Sequence, residues 1–186
     1  MLTYTKMKYK ISEKIHIPDG VNCEFKDNVL TCKKGEIEIK RKIILPRVKI
    51  EIKDKEIIVE AEKANKNEHK VINALKKHIQ NMFEGLNNKF VYLLESCNVH
   101  FPMTLKVEGK NLIINNFLGE KVPRKARILD NVNVQVKGKD IIVESHDKTA
   151  AGQTAANFEK ATKIRNRDRR IFQDGIYIVE RPGRKD

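Results

Sequence analysis

Residues 49–60 read KIEIKDKEIIVE, and residues 133–144, lying 84 positions later, read NVQVKGKDIIVE. Six of the twelve positions are identical, and most others are conservative exchanges such as Ile50 for Val134. Ile50 and Ile52 alternate with polar residues, as do Val134 and Val136, which is the period-two pattern of a half-buried strand. Asp54-Lys55 and Gly138-Lys139 interrupt the alternation where a tight turn joins two antiparallel strands, and the glycine suits a positive φ. One hairpin is written twice.

Outward from this hairpin the correspondence continues. The same offset relates His16-Ile17-Pro18 to His100-Phe101-Pro102 and Gly35-Glu36 to Gly119-Glu120. Asn28-Val29-Leu30 matches Asn111-Leu112-Ile113 at an offset of 83, and Asn73 and Lys76 return to 84 with Asn157 and Lys160. A collinear series of this kind marks a tandem duplication. Each copy carries further strand signals, at Ile37 and Ile39, at Val48 and at Val132, with turn signals at Asp27-Asn28 and Gly109-Lys110. Each copy closes with a helix. Val71, Ile72, Leu75, Ile79, Met82 and Phe83 form one apolar stripe, and Ala155, Phe158, Ala161 and Ile164 form a weaker one. The expected fold class is therefore α+β, a small module of antiparallel hairpins packed against one helix and repeated in tandem. Gly85 to Lys89 breaks the pattern, which predicts a first repeat over 1–86 and a second over 87–186.

Composition narrows the function. The chain has 186 residues, 40% of them hydrophobic, enough to pack a core. No apolar run approaches the roughly 20 residues of a membrane span. Residues 1–10 lack the apolar stretch and cleavage site of a signal peptide, so a cytoplasmic protein is expected, with Met7 as an alternative start to Met1. Cys23, Cys32 and Cys97 show no C-x-x-C spacing and read as small hydrophobic fillers. The formal net charge of +13 points to a polyanionic partner, with nucleic acid ahead of an anionic membrane surface. Lysine outnumbers arginine 28 to 10, so general lysine richness explains part of the charge.

The distribution of arginine is more informative, because its planar fork binds phosphate bidentately and stacks on bases. Eight of the ten arginines follow residue 120. Lys160 to Arg170 contains six basic residues in eleven and one acid, Asp168, whereas Lys76 to Leu86 in the first copy turns apolar. If the helix continues through this segment, Lys160, Lys163, Arg167 and Arg170 fall on one face, a row of cations on the scale of a phosphate backbone. A second basic stretch, 121–127, contains Arg124, Lys125 and Arg127 around Pro123 and reads as an extended arm or loop in contact with RNA. The tail contributes Arg181, Arg184 and Lys185, expected to order on RNA.

Residues 152–177, GQTAANFEKATKIRNRDRRIFQDGIY, also resemble the C-terminal signature of the universal large-subunit ribosomal protein family L-six. The resemblance is to its archaeal and eukaryotic type, called L-nine in eukaryotic naming. Ile17-Pro18 near the start and the Lys137-Gly138-Lys139 hairpin fit as well. The resemblance implies two similar α+β domains and a non-enzymatic, architectural role in the ribosome. Its implied partners are large-subunit ribosomal RNA, contacted chiefly through the second domain, and neighbouring ribosomal proteins. It also implies a position near the sarcin–ricin loop and the docking site of translational GTPase factors. On this resemblance Gln153 and Asn157 face RNA together with Lys160, Lys163, Arg165, Arg167, Arg169 and Arg170, while Gly175 serves a turn.

Catalytic chemistry is not legible. His16, His69, His78, His100 and His146 have no metal-ligand spacing, and no nucleophile elbow, P-loop or dinucleotide fingerprint occurs. No cofactor or metal is expected. His16 and His100, at equivalent positions before prolines, read as scaffold. The alternatives are an RNA-processing protein or its RNA-binding subunit and, more remotely, a peripheral membrane protein. The latter needs bulky apolar residues opposite the charge, where this segment offers Ala161 and Ile164.

Overall fold

The computed structural model describes residues 9–45, 47–53 and 55–183. The alternative starts Met1 and Met7, the turn residue Asp54, and the tail cations Arg184 and Lys185 lie outside the described residues. The chain divides into two compact units, Met1–Asn87 and Asn88–Asp186. Each is α+β, with antiparallel sheets and one long helix.

In the first unit, β1 (Tyr9–His16), β6 (Glu56–Ala64) and β5 (Lys49–Lys53) form one three-stranded sheet in the order β1-β6-β5. A second sheet has the order β2-β3-β4, from Asn22–Lys26, Val29–Lys34 and Ile37–Lys42. The β2–β3 turn places Asp27 at φ 51° and Asn28 at φ 60°, the left-handed pair a two-residue hairpin turn requires. Helix α1 spans Lys66–Asn87 and starts with a reciprocal cap. Asn65 Oδ1 accepts from the Asn67 and Glu68 N–H groups, while Glu68 returns Oε2 to the Asn65 N–H. Ile72, Leu75, Ile79, Met82 and Phe83 are buried as the stripe predicts, joined by Leu86, but Val71 is exposed. These residues cover a core built from Leu30, Cys32, Ile57 and Val59.

The second unit repeats this plan. Strands β8 (Thr104–Glu108), β9 (Asn111–Asn115) and β10 (Arg124–Arg127) make a three-stranded sheet in the order β10-β9-β8. A four-stranded sheet has the order β11-β12-β7-β13, from Asn133–Lys137, Asp140–Ser145, Phe90–Cys97 and Gly175–Glu180. Helix α2, Lys148–Ala161, is capped by Asp147, whose carboxylate accepts from the Thr149 N–H. Ala151, Ala155 and Phe158 bury its inner face against Leu94, Leu112, Ile141 and Ile176. Gly152 is set by a close approach: a Cβ there would lie 2.8 Å from the Tyr92 hydroxyl of β7.

Several expectations are corrected. Burial pairs Leu30 with Leu112 and not with Ile113, because the turns Asp27-Asn28 and Gly109-Lys110 occupy the same place in the two hairpins. His16 ends β1, but His100 lies beyond β7 in a loop, so the two are not equivalent in the sheet. The basic stretch around Pro123 is not a free arm, since Arg124–Arg127 pairs along β9. The helix does not run through the basic segment either. It stops at Thr162, whose hydroxyl reaches back to the Phe158 and Glu159 carbonyls and accepts from the Ile176 N–H of β13 at 2.9 Å. Asn166 then adopts a left-handed φ of 55°. Strand β13 itself has no sequence-read counterpart: it is an extra strand that the second unit adds beside β7.

Candidate nucleic-acid interface

Because α2 ends at Thr162, the basic residues up to Arg170 do not stand in a row on a helix. They lie on the segment between α2 and β13, which is fastened at both ends. Its start is held by the Thr162–Ile176 hydrogen bond, buried with Ile164. Its far end is held by Asp174, 2% exposed, which accepts from the Val99 N–H at 2.8 Å, the His100 N–H at 3.0 Å and the His100 ring Nδ1 at 2.7 Å. Burial opposes ionisation of Asp174, but these donors outweigh it and hold the carboxyl below the ordinary aspartate range. His100 stacks on Phe172 with centroids 4.8 Å apart, and the Arg167 guanidinium sits 4.9 Å over the same ring. Between these anchors Asp168 turns the chain by accepting from the Arg170 N–H.

The expected site residues separate into three sets. Lys125 and Arg127 on β10, Asn157 and Lys160 on α2, and Lys163 and Arg165 just beyond it line a groove of about 660 Å³ with Arg124, Ala126 and Ala161. No carboxylate lines it. Lys160, Lys163 and Arg165 also border a second hollow of about 560 Å³, walled by Ile164, Arg169, Ile176 and Tyr177 and containing one acid, Glu159. The second set braces the unit. Arg124 pairs with Glu120 at 2.5 Å, donates to the Ala161 carbonyl at 2.8 Å and lies 4.3 Å over the Phe117 ring. Gln153 donates to Asn157, whose amide donates to the Arg127 carbonyl, so this pair ties α2 to β10. The third set stands apart from both hollows: Arg167 and Arg170 on the anchored loop and Arg181 after β13, all exposed.

The charge environment differs between the units. In the first, Lys10, Lys14, Lys33, Lys40, Lys53 and Lys55 each pair with a carboxylate. Among the described residues no carboxylate pairs with Lys125, Lys160, Lys163 or Arg165. A groove lined with uncompensated cations attracts phosphate, because every contact releases counterions without first breaking a salt bridge. Sequence reading missed Tyr177 and Ile164 as lining residues, since Tyr177 is separated from the basic run by Ile171 to Ile176 and Ile164 reads as helix core. Among the described residues no three His, Cys, Asp or Glu side chains cluster as a metal site, and no helix is long and apolar enough to cross a membrane.

Residues 101–175 match the family model "Ribosomal protein L6". Over 174 residues the chain is 42% identical to "Large ribosomal subunit protein uL6" of Methanococcus vannielii, covering 94% of this chain and 96% of that one. The protein of the same description from Methanosarcina mazei is 42% identical over 175 residues, covering 94% and 99%. The matched family region contains β10, α2 and the whole anchored segment.

Proposed function

The chain belongs to the ribosomal protein L6 family, and from that premise we propose that it is a structural constituent of the large ribosomal subunit that binds large-subunit ribosomal RNA through its second unit. The groove between β10 and the end of α2 carries this reading. Lys125, Arg127, Lys160, Lys163 and Arg165 present cations from three separate segments to one concave surface without an acid in its lining. The work is electrostatic and geometric: the hydrogen-bonded frame fixes the cations, and the RNA backbone supplies the charge they lack. Arg169 beside the groove, the exposed Arg167, Arg170 and Arg181 outside it, and the tail cations Arg184 and Lys185 are further RNA contacts in this reading.

Within the ribosome, the bound RNA lies near the sarcin–ricin loop, beside the docking site of translational GTPase factors and next to neighbouring ribosomal proteins. The signature at 152–177 supports this finer placement through the family resemblance. Gradient sedimentation of a cell extract, probed for this chain at low salt and at roughly 0.5 M, tests the whole reading. At that concentration the Debye length shortens to about 4 Å, so loose association with polyanions falls away. Retention in the large-subunit peak is expected. Recovery only in light fractions would overturn the proposal and favour a separate RNA-processing protein.

A further inference from the structure

Cys23 and Cys32 face each other directly across β2 and β3, with their sulfur atoms 2.8 Å apart. Counting outward from the Lys26–Val29 pair that closes the turn, they fall at a non-hydrogen-bonded pair, where Cα atoms lie about 4.5 Å apart. Disulfides span Cα separations of about 4.4–6.8 Å, so a bond here needs rotation of the side chains and no movement of the strands.

The duplication supplies a control. The corresponding cross-strand pair of the second unit is Leu105 opposite Ile114. Ile114 is buried as Cys32 is, so an aliphatic pair fills the same slot and packing alone does not call for sulfur. We propose that Cys23 and Cys32 form a reversible dithiol–disulfide site whose oxidant is a small-molecule disulfide.

Cys32 is fully buried, whereas Cys23 is partly exposed and can meet a solute. The hydrogen bond shared by the two sulfur atoms favours the Cys23 thiolate and lowers its pKa. The same hydrogen bond, followed by burial, raises that of Cys32. Cys23 is thus the attacking group and Cys32 the resolving one. The Cys23 thiol gives its proton to solvent, and its thiolate attacks one sulfur of the small disulfide, forming a mixed disulfide and releasing one small thiolate. That thiolate takes the Cys32 proton. The Cys32 sulfur then attacks Cys23 Sγ and expels the second small thiolate, which is protonated from solvent. One protein disulfide forms, two protein S–H groups are lost, and the small disulfide is reduced to two thiols.

The test treats the full chain with oxidised glutathione, then alkylates it under denaturing conditions for intact mass measurement. The three free thiols should fall to one, with Cys97 labelled, no glutathione retained and the unlabelled chain lighter by about 2 Da. Cys97→Ser should fall from two thiols to none, and dithiothreitol should restore both. Cys23→Ser should prevent the bridge. Should that variant fail to fold, Cys97→Ser alone still decides. Three thiols persisting after treatment, a stable glutathione adduct on Cys23, or a covalent dimer would each overturn the proposal.

Discussion

Asp174 shows how much one side chain holds in place. Its carboxylate satisfies two backbone N–H groups and the His100 ring, so Asp174→Ala removes three hydrogen bonds at once and should destabilise the second unit by about 2 kcal/mol in denaturant titration. Its pKa is depressed in the folded protein. The stability it contributes is therefore complete above its unfolded value of about 3.9 and is lost as pH falls through the lower folded value. Asp174→Asn should flatten the loss of stability of the native protein below about pH 4. Arg124 and Lys125, neighbours on β10, should separate bracing from binding. Arg124→Ala orphans the Ala161 carbonyl and strips the Phe117 ring, costing about 2 kcal/mol of stability. Lys125→Ala should alter stability by less than about 0.5 kcal/mol and lower the salt dependence of RNA binding by about 0.7–0.9 in log–log slope. Their adjacency in sequence gave no means of telling them apart, because the distinction depends on Glu120, Ala161 and Phe117, none of which a charge pattern identifies.

At the level of elements, sequence reading succeeded where the deciding forces are local. The hairpins are marked by turn residues between alternating strands, and α1 by the apolar stripe from Val71 to Phe83, although its start and its cap at Asn65 were not read. Reading failed where a distant partner decides. Lys160, Lys163, Arg167 and Arg170 have helical spacing, yet the helix stops at Thr162 because the Thr162 hydroxyl receives the N–H of Ile176, fourteen residues away. Strand β13 was missed for a related reason: Ile176 to Val179 is continuously apolar, and only pairing with β7 makes it a strand. Thr162→Val keeps the shape and removes the hydroxyl, so it should cost about 1–3 kcal/mol and weaken RNA binding by loosening the basic segment. Unchanged RNA affinity in a filter-binding titration, with stability lowered, would separate the anchor from the site. In α1, Ile79→Ala should cost about 2–4 kcal/mol by calorimetry, whereas Val71→Ala, on the exposed side, should be nearly neutral.

Across the whole molecule, the high net charge conceals two different surfaces. Lysines of the first unit are largely matched by glutamates along their strands, so reversing Lys53 and Lys55, already paired with Glu51 and Asp19, should change RNA affinity little. Reversing Arg165, Arg167, Arg169 and Arg170 should weaken it far more. Equal losses in parallel titrations would show that total charge, and not the basic segment, governs binding. The sequence made the basic segment legible as a candidate site, but not its shape, which needs β10, α2 and the anchored loop to be brought together. That assembly has a consequence for timing. Residues 160–170 emerge from synthesis before Ile176 and Asp174, the residues that fasten them. Completion of β13 against β7, a strand made some eighty residues earlier, then gives the segment its defined form. The last strand of the second unit is thus the element on which the form of the basic segment depends.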